Sequence, residues 1–161
     1  KKIVIGEQLD ISLTTENRSE IPFSISKALH TYFQVGDISQ TKVVGLDGLD
    51  YLDKTLDFSK RTQVGDITPF AETDRVYLAS PARVHIIDEV LNRQINIEQS
   101  GAENIVVWNP WTRASLLNDM DASDYQQFIC VETANAIANS VIIAPGASHQ
   151  MQVKYNVSSI A

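Results

Sequence analysis

Hydrophobic and polar residues alternate along much of this chain. Leu9-Asp10-Ile11-Ser12-Leu13 is a clear case, because every second residue is apolar. A period of two residues is typical of β-strands that bury one face. The same reasoning predicts further strands at Lys1–Ile5, within Ile25–Val35, at Lys42–Leu46, around Tyr51, and at Val76–Leu78, Arg83–Ile87, Arg93–Ile97, Asn104–Trp108, Gln127–Thr133, Val141–Ile143 and Gln150–Val157.

Turn-forming residues separate nearly all of these segments. Glycine, proline, asparagine and aspartate supply the backbone conformations that tight turns need. They occur at Asp47-Gly48, Gly65-Asp66, Ser80-Pro81, Gly101, Asn109-Pro110 and Pro145-Gly146. No segment sustains the three-and-four spacing of an amphipathic helix, and Asp88–Asn92 is predicted to form one helical turn at most. The predicted fold class is therefore all-β, an antiparallel sandwich or barrel.

Length and charge narrow the range of partners. The 161 residues suit one domain of ordinary size. The net charge of −7 repels nucleic-acid phosphates, and no dense run of lysine and arginine offsets it. No apolar stretch approaches the ~20 residues that span a bilayer, and no signal peptide is recognisable. We therefore expect neither a nucleic-acid nor a membrane partner.

Cysteine and histidine usage exclude several kinds of site. Cys130 is the single cysteine, so no internal disulfide forms, which favours a reducing compartment such as the cytoplasm. His30, His85 and His149 are scattered and lack the spacing of metal ligands. The glycine-rich loops that bind nucleotides and the hydrolase nucleophile elbow are absent from the sequence. We expect no metal and no organic cofactor.

His30 is the first candidate for chemistry. It lies in the apolar and aromatic run from Lys27 to Phe33, and alternation places it on one face with Ala28 and Tyr32. Partial burial lowers the pKa of an imidazole and keeps it in the range useful for proton transfer. A core histidine with both ring nitrogens satisfied explains the same pattern equally well.

Glu132 is the second candidate and the stronger anomaly. It ends the apolar run that starts at Phe128, and it shares a face with Phe128 and Cys130. A carboxylate there is costly to bury unless it is paired or lies at a cleft, and burial raises its pKa and makes it a better base. The alternative is that the strand emerges into solvent at this residue.

Asp74 and two tryptophans give weaker signals. Asp74 precedes a predicted strand and has the oxygens to accept hydrogen bonds from sugar hydroxyls, although an aspartate that caps a turn has the same context. Trp108 and Trp111 flank Asn109-Pro110. A tryptophan at a sheet edge can stack on a pyranose face, but core packing explains a lone tryptophan more often.

Taken together, these segments resemble a known family. They resemble the hexose-6-phosphate mutarotases, or glucose-6-phosphate 1-epimerases, of the aldose 1-epimerase superfamily, and the similarity runs from about Pro22 to the end of the chain. The ordered set of matching stretches is Ala28-Leu29-His30-Thr31-Tyr32-Phe33, Val35-Gly36-Asp37-Ile38, Gly45-Leu46, Tyr51-Leu52-Asp53-Lys54, Thr73-Asp74-Arg75-Val76-Tyr77, Val107-Trp108-Asn109-Pro110 and Cys130-Val131-Glu132.

The resemblance implies a fold, an activity and residue roles. The implied fold is a large antiparallel β-sandwich of the galactose mutarotase type. The implied activity is interconversion of the α and β anomers of a hexose 6-phosphate, without a cofactor. His30 and Glu132 match the catalytic histidine and glutamate of the family, and Asp74 matches an aspartate that binds the sugar.

The resemblance also implies that this chain is part of a longer protein. Family members are considerably longer, and residues 1–161 match the C-terminal portion of their sandwich, taken as a single domain. The chain begins directly in a predicted strand without an initiator methionine, so we expect further sequence before Lys1, including strands and the basic residues that hold the phosphate. We expect the isolated segment to aggregate or to be inactive, because a sandwich cut within a sheet exposes apolar faces and strand edges.

The main alternative is a β-sandwich that binds carbohydrate through Trp108 and carboxylates without catalysis. The enzyme interpretation requires His30, Asp74 and Glu132 to converge on one concave site. A structural domain would leave these residues far apart. For the enzyme we expect a sugar phosphate as the small-molecule partner, a monomer, and a cytoplasmic location.

Overall fold

The computed structural model describes residues 1–160, which consist mainly of short strands joined by tight connections. The strands are β1 (Lys2–Ile5), β2 (Leu9–Glu16), β3 (Phe23–Ile25), β4 (Lys27–Leu29), β5 (Tyr32–Gln34), β6 (Thr41–Val44), β7 (Asp50–Asp53), β8 (Ser59–Thr62), β9 (Thr73–Tyr77), β10 (Arg83–Asp88), β11 (Arg93–Ser100), β12 (Asn104–Asn109), β13 (Phe128–Asn135), β14 (Val141–Ile143) and β15 (Ser148–Ser159). Short 3-10 helices span Ile38–Gln40, Lys54–Leu56, Trp111–Leu116, Asp124–Gln127 and Ile137–Asn139.

Two antiparallel sheets contain most of the strands. One has six strands in the order β1-β2-β15-β11-β10-β6. The other has seven strands, in which β4-β13-β12-β9-β7-β8 follow one another and β5 also pairs with β13. β14 and β3 form a separate two-stranded ribbon. The predicted all-β, antiparallel class is confirmed.

The alternating pattern places the core between the two large sheets. The Phe33 and Tyr155 rings, one from each sheet, meet with centroids 5.3 Å apart. Both sheets contribute β-branched side chains, which suit packed sheet faces. Buried examples are Val84, Ile86, Ile95 and Ile97 from the six-stranded sheet and Ile105, Val107, Ile129 and Val131 from the seven-stranded sheet.

The run predicted as a strand within Ile25–Val35 is divided into three. β4 and β5 pair with β13 in one continuous register, since Leu29 lies opposite Thr133 and Tyr32 lies opposite Cys130. His30 and Thr31 interrupt the strand between them. The Thr31 hydroxyl instead lies 2.8 Å from the Tyr155 hydroxyl of the other sheet, which ties this interruption to the core.

Two local regions can be compared with the sequence predictions. Asp88–Asn92 was predicted to form one helical turn at most, and it completes β10 and turns into β11 without a helix. The Asp88 carboxylate accepts from the Leu91 amide, and Asn92 takes a positive φ of 47°. The sequence reasoning missed β8, which has no apolar alternation. β8 is an edge strand that pairs with β7 only, and its polar residues need no buried face.

β1 lies at the edge of the six-stranded sheet and exposes apolar side chains. All four of its residues are exposed, and Ile5 retains 83% of its accessible surface. An uncovered apolar edge strand is a template for pairing with other chains. The expected aggregation of the isolated segment therefore has a structural basis, and it stays a prediction. Among residues 1–160, no helix has the length and apolar character to cross a membrane.

Candidate active site

The candidate site is built on β13, whose eight residues are all buried. Side chains of a strand point alternately to the two faces of its sheet. Ile129 and Val131 point into the core between the sheets, and Cys130 and Glu132 therefore point to the other face. Glu132 is 6% exposed, so the sequence prediction of a buried carboxylate agrees with its position.

His30 lies next to Glu132 because of the register of β4 and β5 on β13. The continuous pairing places His30 directly opposite Glu132. The His30 Nε2 and Glu132 Oε1 atoms are 3.4 Å apart. This distance is longer than a strong charge-assisted hydrogen bond, and the two groups are close enough to act on one ligand.

Aromatic side chains fix the orientation of the His30 ring. The Tyr32 ring stacks on it with centroids 4.8 Å apart and planes within 6°. The Trp108 ring meets it edge-on at 5.7 Å and nearly at right angles. One side of the imidazole is thus held by packing while its Nε2 edge faces Glu132.

Asp74 reaches the same site from β9. β13, β12 and β9 are consecutive in the sheet, and Trp108 of β12 pairs with both Cys130 and Asp74. One Asp74 oxygen, Oδ2, forms an ion pair of 2.8 Å with the Lys54 ammonium. The other oxygen, Oδ1, is buried and has no hydrogen-bond partner among the described residues. Because a buried unpaired oxygen is costly, it is a candidate acceptor for a ligand hydroxyl.

A cavity of about 470 Å³ joins these groups. Its floor is hollow where small side chains meet, since Ala28 of β4 lies opposite Ala134 of β13. The lining residues are Ala28, His30, Lys54, Phe58, Asp74, Val76, Val106, Trp108, Glu132, Ala134, Ala136 and Ile137. The three site residues predicted from sequence therefore line one cavity, as the enzyme interpretation requires.

The two tryptophans have different positions. Trp108 lines the cavity. Trp111 packs against the hydrophobic core, and its ring meets that of Tyr125 at 5.0 Å. Core packing is the right explanation for Trp111 but not for Trp108.

Burial shifts the proton affinities of His30 and Glu132 in opposite directions. Burial, with a smaller contribution from the Asp74 carboxylate, raises the pKa of Glu132 to about 7, although Lys54 acts against this shift. Burial lowers the pKa of His30; Asp74 opposes that change and Lys54 adds to it. Glu132 therefore holds its proton more tightly than an isolated glutamate does, and His30 holds its proton less tightly than an isolated histidine does.

Sequence reasoning missed the roles of three lining residues. Lys54 lies in a matching stretch, but only the fold shows that its ammonium meets Asp74. Phe58 and Ile137 lie in connections outside the predicted strands, where the alternating pattern carries no information. No local signal marks either residue as part of a site.

The fold and the cavity define a class of protein: an antiparallel β-sandwich with a histidine and carboxylates around an open hollow. Residues 2–156 match the family described as aldose 1-epimerase. The chain belongs to the aldose 1-epimerase family. The family resemblance drawn from the sequence is confirmed.

Several curated relatives of this chain carry the name "putative glucose-6-phosphate 1-epimerase". The one from Cenchrus ciliaris is 37% identical over 151 residues, which cover 90% of this chain and 46% of that protein. The one from Escherichia coli K12 is 37% identical over 150 residues, which cover 92% of this chain and 49% of that protein. The chain thus spans about half the length of these curated relatives.

A solved structure agrees with the fold. The crystal structure of a protein from Salmonella typhimurium, described as a putative mutarotase, superposes with a TM-score of 0.89 at 31% identity. The superposition covers 98% of this chain and 52% of that one. The fold is therefore the mutarotase type of sandwich that the resemblance implied.

Proposed function

We propose that this chain supplies the acid–base pair of an enzyme that interconverts the α and β anomers of a hexose 6-phosphate. The observation that carries the proposal is the pairing of His30 and Glu132 at 3.4 Å in a cavity that also holds the unpaired oxygen of Asp74. The names of the relatives and of the solved structure support the same activity.

The reaction is a ring opening followed by ring closure. Glu132, as base, removes the proton from the hydroxyl on C1 while His30, as acid, gives a proton to the ring oxygen. The bond between C1 and the ring oxygen then breaks and leaves an open-chain aldehyde. Rotation about the C1–C2 bond exposes the other face of the aldehyde. On closure the former ring oxygen attacks C1 and gives its proton to His30, while Glu132 returns its proton to the oxygen on C1. Each proton transfer contributes on the order of 10²–10⁴ in rate.

The shifted proton affinities suit this cycle. Before ring opening the pair has a protonated His30 and an ionised Glu132, and after ring opening both groups are neutral. The two states hold the same number of protons, so the pair titrates as a unit. The raised pKa of Glu132, about 7, and the lowered pKa of His30 both stabilise the neutral pair that forms on ring opening relative to the ion pair that precedes it.

Asp74 orients the sugar in this proposal. Its Oδ1 atom accepts a hydrogen bond from a ring hydroxyl, while Lys54 holds Oδ2 and keeps the carboxylate in place. Holding the ring in one orientation brings its C1 hydroxyl and ring oxygen to the acid and the base.

In this proposal the phosphate group of the sugar does not bind to the residues that line the cavity. Lys54 is the lysine of the described lining, and its ammonium is occupied by Asp74. A phosphate dianion placed directly on Asp74 and Glu132 would be repelled by them. We propose that basic residues outside the described segment hold the phosphate.

We also propose that the protein is a monomer and that it is located in the cytoplasm.

Anomer exchange measured by NMR on full-length protein tests the proposal. We expect faster exchange of glucose 6-phosphate than of glucose, and loss of at least ~100-fold of that rate in Glu132→Gln. No acceleration of either sugar would overturn the enzyme and favour the carbohydrate-binding sandwich. Equal acceleration of both sugars would retain the enzyme and reject the phosphate preference.

A further inference from the structure

Two exposed apolar side chains line the cavity on strained backbone. Phe58 has a φ of 58° and Ile137 a φ of 56°, both in the left-handed region. Phe58 retains 49% of its accessible surface and Ile137 retains 46%. Both belong to the lining of the cavity that contains His30 and Glu132.

Left-handed backbone is costly for side chains of these types. The left-handed region is unfavourable for residues other than glycine, and a bulky or β-branched residue there is a true outlier. Such conformations persist only where the surrounding structure enforces them, and they cluster at ligand sites.

The other residues with positive φ have local explanations. Within residues 1–160 they are Asp57, Asn92 and Trp111, besides glycines. Asparagine and aspartate tolerate this region. The Trp111 ring is packed against the hydrophobic core, and its amide donates to Asn109. Phe58 and Ile137, by contrast, are exposed and do not belong to the hydrophobic core cluster.

Hydrogen bonds on both sides hold Ile137 in its conformation. The preceding Ala136 amide donates to Asn104 Oδ1 at 2.9 Å. The Ser140 hydroxyl donates to the Ile137 carbonyl at 3.1 Å, and the Asn139 amide group donates to the Glu103 carbonyl at 3.3 Å. The backbone is thus fixed so that the isoleucine stays at the cavity.

Phe58 is fixed by the short connection between β7 and β8. Asp53 at the end of β7 pairs with Ser59 at the start of β8, directly after Phe58. The Asp53 carboxylate also accepts from the Thr55 amide at 3.1 Å and from its hydroxyl at 2.6 Å. The connection therefore has little freedom to turn the Phe58 side chain away.

The two side chains enter from different sides of the sheet region that forms the floor. Ile137 follows β13 and Phe58 follows β7, while β12 and β9 lie between those strands. Both side chains nevertheless line the same cavity of about 470 Å³, so they bound the space in which a ligand would lie.

We propose that Phe58 and Ile137 are the apolar walls that hold the pyranose ring, covering its C–H surfaces while Asp74, His30 and Glu132 meet its oxygens. This inference rests on the proposed function for the nature of the ligand. Pyranoses present apolar C–H faces, and apolar side chains at the cavity stabilise a ligand by removing such surface from water. The neighbouring hydrogen bonds and strand pairing enforce the strained backbone and so keep both side chains at the cavity.

Glycine substitutions in full-length protein test the walls. Ile137→Gly and Phe58→Gly each remove the side chain and also relieve the strain. We expect the KM and the dissociation constant for glucose 6-phosphate to rise about tenfold in each, with kcat changed much less. The melting temperature should stay level or rise, because glycine adopts positive φ without cost.

Asn92→Gly is the matched control. It relieves a left-handed conformation in the turn between β10 and β11, away from the cavity. We expect a level or raised melting temperature with an unchanged KM. Unchanged KM and dissociation constants in both wall variants would overturn the inference, as would a lowered melting temperature accompanying a raised KM, since that would assign the residues to packing.

Measuring turnover and measuring binding test the proposed function and this inference independently. Anomer exchange by the unmodified protein tests the function, and the dissociation constant measured by NMR titration tests the walls. A protein that binds glucose 6-phosphate without turnover, and loses that binding in the wall variants, would support the walls and reject the enzyme. A protein that binds no hexose would overturn both.

Discussion

The polar side chains compared on the outer faces of the two sheets differ in whether their hydrogen-bonding atoms have partners. On the six-stranded sheet, His85 Nδ1 lies 2.8 Å from Asn96 Oδ1, and the Asn96 amide donates to Asn156 at 2.7 Å. On the seven-stranded sheet, Glu132 is buried with a histidine at 3.4 Å, and Asp74 keeps one oxygen unpaired. Each of these two arrangements contains a histidine and polar neighbours, but of the two only the one at Glu132 and Asp74 contains a buried oxygen without a hydrogen-bond partner among the described residues.

This difference distinguishes polar groups that stabilise the surface of a sheet from polar groups that are available to bind a ligand. Side chains that satisfy one another cost little and have nothing left to bind with. Buried groups without partners cost free energy, which the fold tolerates where a ligand completes them. The comparison predicts that equivalent substitutions on the two faces have unequal effects.

The largest effect is expected from histidine substitution. His30→Ala should lower kcat for anomer exchange by at least ~100-fold, because the acid that protonates the ring oxygen is lost. His85→Ala should leave kcat unchanged, since His85 bonds to Asn96 and Gln94 of its own sheet and is not among the described residues that line the cavity. NMR exchange rates on both full-length variants check this, and near-normal exchange in His30→Ala would remove it from the mechanism.

A smaller effect is expected from aspartate substitution. Asp74→Ala should raise KM about tenfold, because a charge-assisted hydrogen bond to the sugar is lost. The control is Asp10→Ala, where the carboxylate accepts from Gln152 at 2.8 and 2.9 Å on the outer face of the other sheet. Initial-rate kinetics measure both, and an unchanged KM in Asp74→Ala would count against its sugar-binding role.

The smallest effect concerns stability and its dependence on pH. The pKa of Glu132 is raised from 4.5 to about 7, so the folded protein holds this proton more tightly than the unfolded chain does. The stability that the protonated carboxyl contributes is present below pH 4.5 and is lost as the pH rises through 7. Glu132→Gln stays neutral, so its melting temperature relative to the unmodified protein should increase between pH 5 and pH 8.

We expect that increase to be about 2–4 °C, the shift that roughly 1 kcal/mol produces in a domain of this size. Glu98→Gln is the control, because Glu98 is solvent-accessible on the six-stranded sheet and pairs with Arg83. Thermal melts at the two pH values measure both variants. If the difference in melting temperature between Glu132→Gln and the unmodified protein does not change with pH, then Glu132 does not have a raised pKa in the folded protein.

Much of the fold followed from the sequence because strand formation here is a local property. The alternation predicted β14 with its observed bounds and most other strands within a few residues. It also placed Glu132 on one face with Cys130, as observed, because side-chain direction along a strand depends only on parity. β8 was missed since an edge strand without a buried face has no alternation to detect.

The sequence by itself determined an all-β chain with a histidine and a glutamate on apolar strands. Only the tertiary structure decided that His30, Asp74 and Glu132 meet, because strand order and register are set by pairing between residues far apart in the chain. The same holds for Lys54 against Asp74 and for the split between Trp108 and Trp111. Phe58 and Ile137 depended on tertiary structure most, since their left-handed backbone is imposed by neighbouring anchors and opposes their own local preference.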